Sequence, residues 1–230
     1  MELTNFDQPT KQEESSHLHF LLPNCHYMIV GGSGTGKTTL LCNMLLKWMY
    51  PDNITLYTLN ANQDKYQLLS DFYSILQEET EGEEPMFEIM DPENVVPIED
   101  IDDVISKVVV FDDIKIDGKH TKPIEEYFSL SRNKKCNCIY LTQSYYNTPK
   151  YIRRNTRAFC LFPGLDNKDI RSIADDQRNS VSREEFENIY RMATEKPFSF
   201  MLVDKTSKHI PEMYRCNFDN FYIPDEYAIA

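Results

Sequence analysis

The chain has 230 residues, enough to bury a full core in one domain, and its 41% hydrophobic and 27% charged residues are ordinary for a globular protein. A net charge of −13 argues against a protein coated in nucleic acid, which is normally basic. Screening beyond about 8 Å still lets a local basic loop act. No apolar run approaches the ~20 residues that cross a bilayer, and residues 1–16 are polar and acidic, so neither a signal peptide nor a membrane anchor is expected. The six cysteines include no C-x-x-C pair, and Cys136 and Cys138 share a side only if they lie on one strand. They read as reduced, half-buried thiols of an intracellular protein, not as a zinc site.

Residues 1–16 are expected to form a flexible arm, and 17–230 a single domain. A weak strand at 17–22 turns through Pro23 and Asn24 into a core strand over 25–30. The stretch Gly31-Gly32-Ser33-Gly34-Thr35-Gly36-Lys37-Thr38 follows, then an apolar run at helical spacing to about Trp48, stopped by Pro51. Strand, glycine-rich turn, then helix is the context in which G-x-x-x-x-G-K-[ST] binds phosphate. Glycines let the backbone wrap close to the phosphates, and successive N–H groups through Thr39 face the negative charge. Lys37 reaches the terminal phosphates, and the Thr38 hydroxyl is placed to ligate Mg²⁺. The expected ligand is a nucleoside triphosphate.

Residues 54–59, rich in β-branched and aromatic side chains, predict a strand, and 64–79 a helix with Tyr66, Leu69, Tyr73 and Leu76 on one face. No Lys or Arg lies between Lys65 and Lys107. The acidic 80–103 stretch reads as a surface excursion with a short strand near Phe87–Ile89. Val108–Phe111 reads as a buried parallel strand ending in Asp112-Asp113. A helix is expected over 123–132, a strand over 138–142 ending in Gln143, a helix over 149–155, a strand over 158–162 and a helix over 166–175. Ser182-Arg183-Glu184-Glu185 is a capping box opening a helix to about Thr194. Strands at 198–203 and 213–216 close the chain. Strands alternating with helices imply an α/β fold with a mostly parallel sheet covered on both faces.

A magnesium triphosphate needs an acid beyond the phosphate loop. Asp112, at the tip of an apolar strand, is placed to hold Mg²⁺ through water. Asp113 is the candidate general base for the attacking water, against a loop-capping role. It does not start a calcium loop, because Ile124 stands where the bidentate Glu is required. Gln143 is the candidate bridge between water and γ-phosphate. A positive charge on the developing γ-phosphate charge would come from Arg132, Arg153, Arg154 or Arg157, among which spacing does not choose.

The ordered segments GGSGTGKTTLL, VVVFDD, LSRNKKCNCIYLTQSYYNTPKYIRRN, ATEKPFSFMLVD and YRCNFDNFY resemble the FtsK–HerA superfamily of DNA-translocating ATPases. They are most similar to the compact genome-packaging ATPases of poxvirus-like large DNA viruses, virophages and polinton-type elements, over residues 19–222. The resemblance implies a P-loop NTPase three-layer sandwich, with a sensor strand between the phosphate-loop and Asp112 strands and extra C-terminal strands. It implies ATP and Mg²⁺ as cofactors, and a homo-oligomeric ring, hexameric, threading double-stranded DNA into a capsid. Further implied are a capsid vertex or portal component as partner, no membrane, and a location in host cytoplasm or nucleus or with the virion. By position, Gln143 matches the family's polar sensor, Arg132 its trans-acting arginine, and Arg153 its Pro-x-x-x-Arg segment. The superfamily commonly has Glu where Asp113 stands, so the shorter arm needs a small shift or a second water to act as base. An acidic exterior fits a ring whose pore is lined by Lys115, Lys119 and Lys122, or by 150–154. Two other readings share the phosphate loop: a nucleotide or small-molecule kinase, and a nucleotide-switched interaction protein.

Overall fold

The structure is a computed structural model that describes residues 25–80, 85–114, 121–176, 181–207 and 210–222. The expected arm, the weak strand at 17–22, and Lys115 and Lys119 lie outside the described residues.

The apolar run before the phosphate loop forms β1 (Tyr27–Val30), buried at every residue. Beyond the loop comes α1 (Lys37–Asn43), which widens into a π-helical turn at Met44–Trp48 instead of continuing regularly. Pro51 stops it. The chain continues as β2 (Asn53–Thr58), α2 (Asp64–Thr80), β3 (Phe87–Met90) and β4 (Lys107–Asp112). Next come α3 (Thr121–Leu130), β5 (Cys136–Thr142), α4 (Lys150–Asn155), β6 (Ala158–Leu161) and α5 (Asn167–Asp176). The Ser182 hydroxyl caps α6 (Arg183–Ala193) by accepting from the Glu185 amide. β7 (Met201–Asp204), α7 (Ile210–Met213), β8 (Tyr214–Cys216) and the two-residue β9 (Asn220–Phe221) complete the described chain.

The strand expected from residue 198 begins only at Met201. Phe198 has φ +63°, a left-handed conformation that cannot continue a pleat. The 80–103 stretch does contain β3, but it is not wholly superficial. Ile98 is buried, and the Val96 backbone donates to the Tyr57 hydroxyl and accepts from Tyr127, pinning the segment to the core.

The strands form one sheet in the order β3-β2-β4-β5-β1-β6-β7-β8-β9. Pairing is parallel from β3 to β6 and antiparallel from β6 to β9. The fold is α/β, with β5 between β1 and β4 as the resemblance implies.

Alternation along each strand splits the core in two. Met28, Val30, Val109, Phe111, Tyr140 and Phe159 face one layer, packed against Ile124 and Phe128 of α3, Ile152 of α4, Ile173 of α5 and Phe186 of α6. Tyr27, Ile29, Val108, Val110, Ile139 and Leu141 face the other, against Leu40 and Leu41 of α1 and Tyr66, Leu69 and Tyr73 of α2. Cys136 and Cys138 do share one strand and one face, and the six cysteines are free thiols. Arg215 of β8 donates to Asp204 of β7 at 3.1 Å with both side chains buried. Among the described residues, no helix is long and apolar enough to cross a membrane.

Candidate functional site

Register decides where the chemistry sits. Thr58, Asp112 and Leu141 pair laterally, as do Val30 and Thr142, so the carboxyl ends of β2, β4, β5 and β1 finish at one rim of the sheet. In open α/β sheets that rim, where strand order switches, is where ligands bind. The phosphate loop, Asp112, Asp113 and Gln143 meet there.

The loop's glycines are sterically required at two places. A Cβ on Gly31 would lie 2.6 Å from the Phe162 Cβ and 2.7 Å from the Thr35 hydroxyl. Gly36 has φ +114° and packs so closely on Phe162 that an added Cβ would approach its ring to 3.1 Å. The Gly31 amide donates to the Thr142 carbonyl at 3.1 Å, tying the loop to β5. The Thr35 hydroxyl donates to the Gly32 carbonyl at 2.9 Å, and Lys37 Nζ donates to the Gly31 and Gly32 carbonyls at 2.6 and 2.9 Å. Burial pushes the Lys37 ammonium below its ordinary pKa, opposed by the Asp113 and Asp112 carboxylates nearby.

Asp112 is 7% exposed. Its Oδ2 accepts from the Tyr66 hydroxyl at 2.6 Å and, weakly, from Thr58 Oγ1 at 3.4 Å. Burial pushes its carboxyl above the usual range, against the stabilising Tyr66 bond. Tyr66 is fully buried, and its phenol is the short donor that fixes the carboxylate expected to face Mg²⁺. Burial, then the Asp112 charge, hold that phenol protonated far above its ordinary range.

Asp113 takes a left-handed φ of +49°, which turns it away from the strand line. Its amide donates to the Leu141 carbonyl at 3.0 Å, and its Oδ2 accepts from Gln143 Nε2 at 2.6 Å. The two exposed candidates for handling water are therefore in direct contact.

The segment after Gln143 is anchored to α5. Asp169 Oδ1 accepts from the Ser144 hydroxyl at 2.9 Å and the Tyr146 amide at 2.7 Å. At the far end of α5, Asp176 Oδ2 accepts from the Tyr145 hydroxyl and from Arg153, both at 2.8 Å. Arg153 is thus engaged within its own chain, its guanidinium 4.8 Å from the Tyr145 ring centroid. The backbone at Arg132 lies in the turn Ser131–Lys134 that precedes β5, at the rim opposite the phosphate loop.

A cavity of about 470 Å³ opens at the site, lined by Ser33, Gly34, Gly36, Lys37, Thr38, Thr39, Asp112, Asp113 and Gln143. Its other walls, Asn60, Gln63, Lys65 and Phe198, belong to no motif of the sequence. Lys65 Nζ donates to the Thr39 hydroxyl at 2.7 Å. Position just beyond a strand's carboxyl end could have flagged Asn60 and Gln63. A second cavity of about 410 Å³, walled partly by Asp113, Gln143, Tyr140 and Asn147, adjoins the first.

By sequence, no protein-family model and no curated protein matches the chain. Solved structures do match. The B204 DNA-packaging ATPase of Sulfolobus turreted icosahedral virus is 15% identical, with a TM-score of 0.54 over 81% of this chain and 95% of that one. The B204 genome-packaging NTPase of Sulfolobus turreted icosahedral virus 2, in complex with sulfate, is 16% identical with a TM-score of 0.59, covering 82% and 95%. The same protein in complex with ATP-γS is 17% identical with a TM-score of 0.55, covering 82% and 96%. The chain therefore has the α/β P-loop NTPase fold of these viral genome-packaging NTPases, the fold that its motifs imply.

Proposed function

We propose that the chain is an ATP-hydrolysing motor that drives double-stranded DNA into a viral or virus-like capsid. The carrying observation is that Lys37, Asp112, Asp113 and Gln143, from three separate strand ends, converge on one cavity. Lys37 and the loop amides bind the triphosphate. The all-oxygen set of Thr38 and Asp112 fits Mg²⁺, a hard cation that takes only one or two carboxylates plus phosphate oxygens. No cluster of three or more His, Cys, Asp or Glu exists among the described residues, and a magnesium site of this kind needs none. When bound, Mg²⁺ neutralises charge on the β- and γ-phosphates.

Asp113 accepts a proton from the attacking water, and Gln143, hydrogen-bonded to Asp113, orients that water toward the γ-phosphate. Arg132 and Arg153 are the candidate trans-acting cations, supplied by a neighbouring subunit of a ring. The placement of the Arg132 backbone ahead of β5, at the rim opposite the phosphate loop, supports that reading. Arg153 would first have to leave Asp176. DNA contacts fall to exposed basic groups such as Lys122, Lys150 and Arg154, giving sequence-independent, salt-sensitive binding. The capsid vertex or portal is the expected docking partner. The packaging role of B204, stated in the names of those structures, supports the choice of DNA over other cargoes.

The test is ATP turnover with and without long duplex DNA at low salt. Stimulation by DNA is expected; no stimulation in any assembly state would count against the motor. The second cavity favours one rival, since space beside Asp113 and Gln143 suits the acceptor of a phosphotransferase. A phosphotransferase would consume ATP only with its acceptor and ignore DNA.

A further inference from the structure

The structure assigns Phe198 as the stacking platform for the nucleotide's base, an inference that rests on the triphosphate reading of the cavity. Phe198 is 72% exposed, and its side chain is one of the walls of the cavity. Its backbone φ of +63° is a conformation that bulky residues rarely adopt and that persists only where surroundings enforce it. Those surroundings are present. The Ser199 amide and hydroxyl both donate to the Lys196 carbonyl, at 3.1 and 2.6 Å, closing a tight turn around Pro197 and Phe198. On the next residue, the Phe200 amide donates to Asn217 Oδ1, the Asn217 amide returns to the Phe200 carbonyl, and the Phe200 ring packs against Phe162 and Phe218. The turn holds Phe198 outward while both flanks are anchored.

Position selects the ligand. Phe198 Cδ1 lies 3.4 Å from where a Gly36 Cβ would stand, on the phosphate-loop side of the cavity. The groups expected to handle the terminal phosphate, Asp113 and Gln143, directly follow β4 and β5, whereas Phe198 precedes β7, two places beyond β1 in the opposite direction. A triphosphate threaded through the loop thus leaves its nucleoside end on the Phe198 side. A flat apolar face there takes any base by its π-face.

The experiment measures equilibrium binding of ATP and of inorganic tripolyphosphate to the full chain and to Phe198→Ala and Phe198→Trp. Stacking predicts that Phe198→Ala weakens ATP about tenfold, near the low end of base–aromatic stacking, while tripolyphosphate is unaffected and Phe198→Trp retains ATP affinity. Equal ATP affinity in wild type and Phe198→Ala overturns the assignment. A parallel loss of ATP and tripolyphosphate also overturns it, by exposing a distorted loop. If wild type binds neither probe, the phosphate-loop reading fails, and this one with it; if it binds both and Phe198→Ala changes neither, only the stacking fails.

Discussion

Replacing Tyr66 with Phe removes one oxygen and isolates what that phenol does for Asp112. The lost bond is short, 2.6 Å, fully buried and made to a carboxylate, leaving Oδ2 only the Thr58 contact at 3.4 Å. Hydrogen bonds to charged groups contribute about 1.5–3 kcal/mol, so Tyr66→Phe should cost roughly 2 kcal/mol of stability at pH 7.5. For a chain of this size that lowers Tm by about 4–8 °C. Asp112's folded pKa is raised, chiefly by burial, so its contribution to stability is full below the unfolded pKa and declines as pH rises through the folded one. Losing the Tyr66 donor raises the folded pKa further. The deficit should therefore be largest at neutral pH and shrink on acidification. Denaturant unfolding without nucleotide, in EDTA, at two pH values measures this. In an Asp112→Asn background the same change should cost only about 1 kcal/mol, the range for neutral pairs. Wild-type stability of Tyr66→Phe at pH 7.5, or equal losses in both backgrounds, would refute the coupling.

Lys37→Ala should abolish nucleotide binding or turnover while leaving the circular dichroism spectrum unchanged, since among the described residues Lys37 hydrogen-bonds to loop carbonyls alone. Arg132→Ala should impair hydrolysis and spare ATP binding, and mixing it with Asp113→Asn subunits should restore part of the rate. Lack of rescue moves the trans role to Arg153 or Arg154. Arg215→Met leaves Asp204 buried without its cation and should cost about 3–5 kcal/mol in urea unfolding, without altering nucleotide affinity.

The parts of the site visible in the sequence are those whose chemistry is local. The phosphate loop declares itself because strand, glycines and helix are contiguous, and Asp112 because four apolar residues precede it. Gln143 is legible for the same reason, at the end of β5. Tyr66 is not: on α2 it occupies an apolar helical position, and periodicity reads a buried tyrosine as a hydrophobe. Its hydroxyl meets Asp112 across 46 residues of chain. Phe198 likewise reads as part of a strand, because aromatic alternation through Phe200 mimics a pleat and φ cannot be read from residue type. The inward packing of the 80–103 stretch is not legible in the sequence, since it comes from tertiary contacts of Val96 and Ile98, not from any repeat.

The Asp169 and Asp176 anchors give the segment beyond β5 a mechanical character. Ser144, Tyr145 and Tyr146 are clamped to both ends of α5, while Gly31 clamps Thr142 from the other side. Gln143 is the one residue between two fastenings. A displacement there must either shear those fastenings or drag the whole helix along, so the segment behaves as a crank and not as a slack tether.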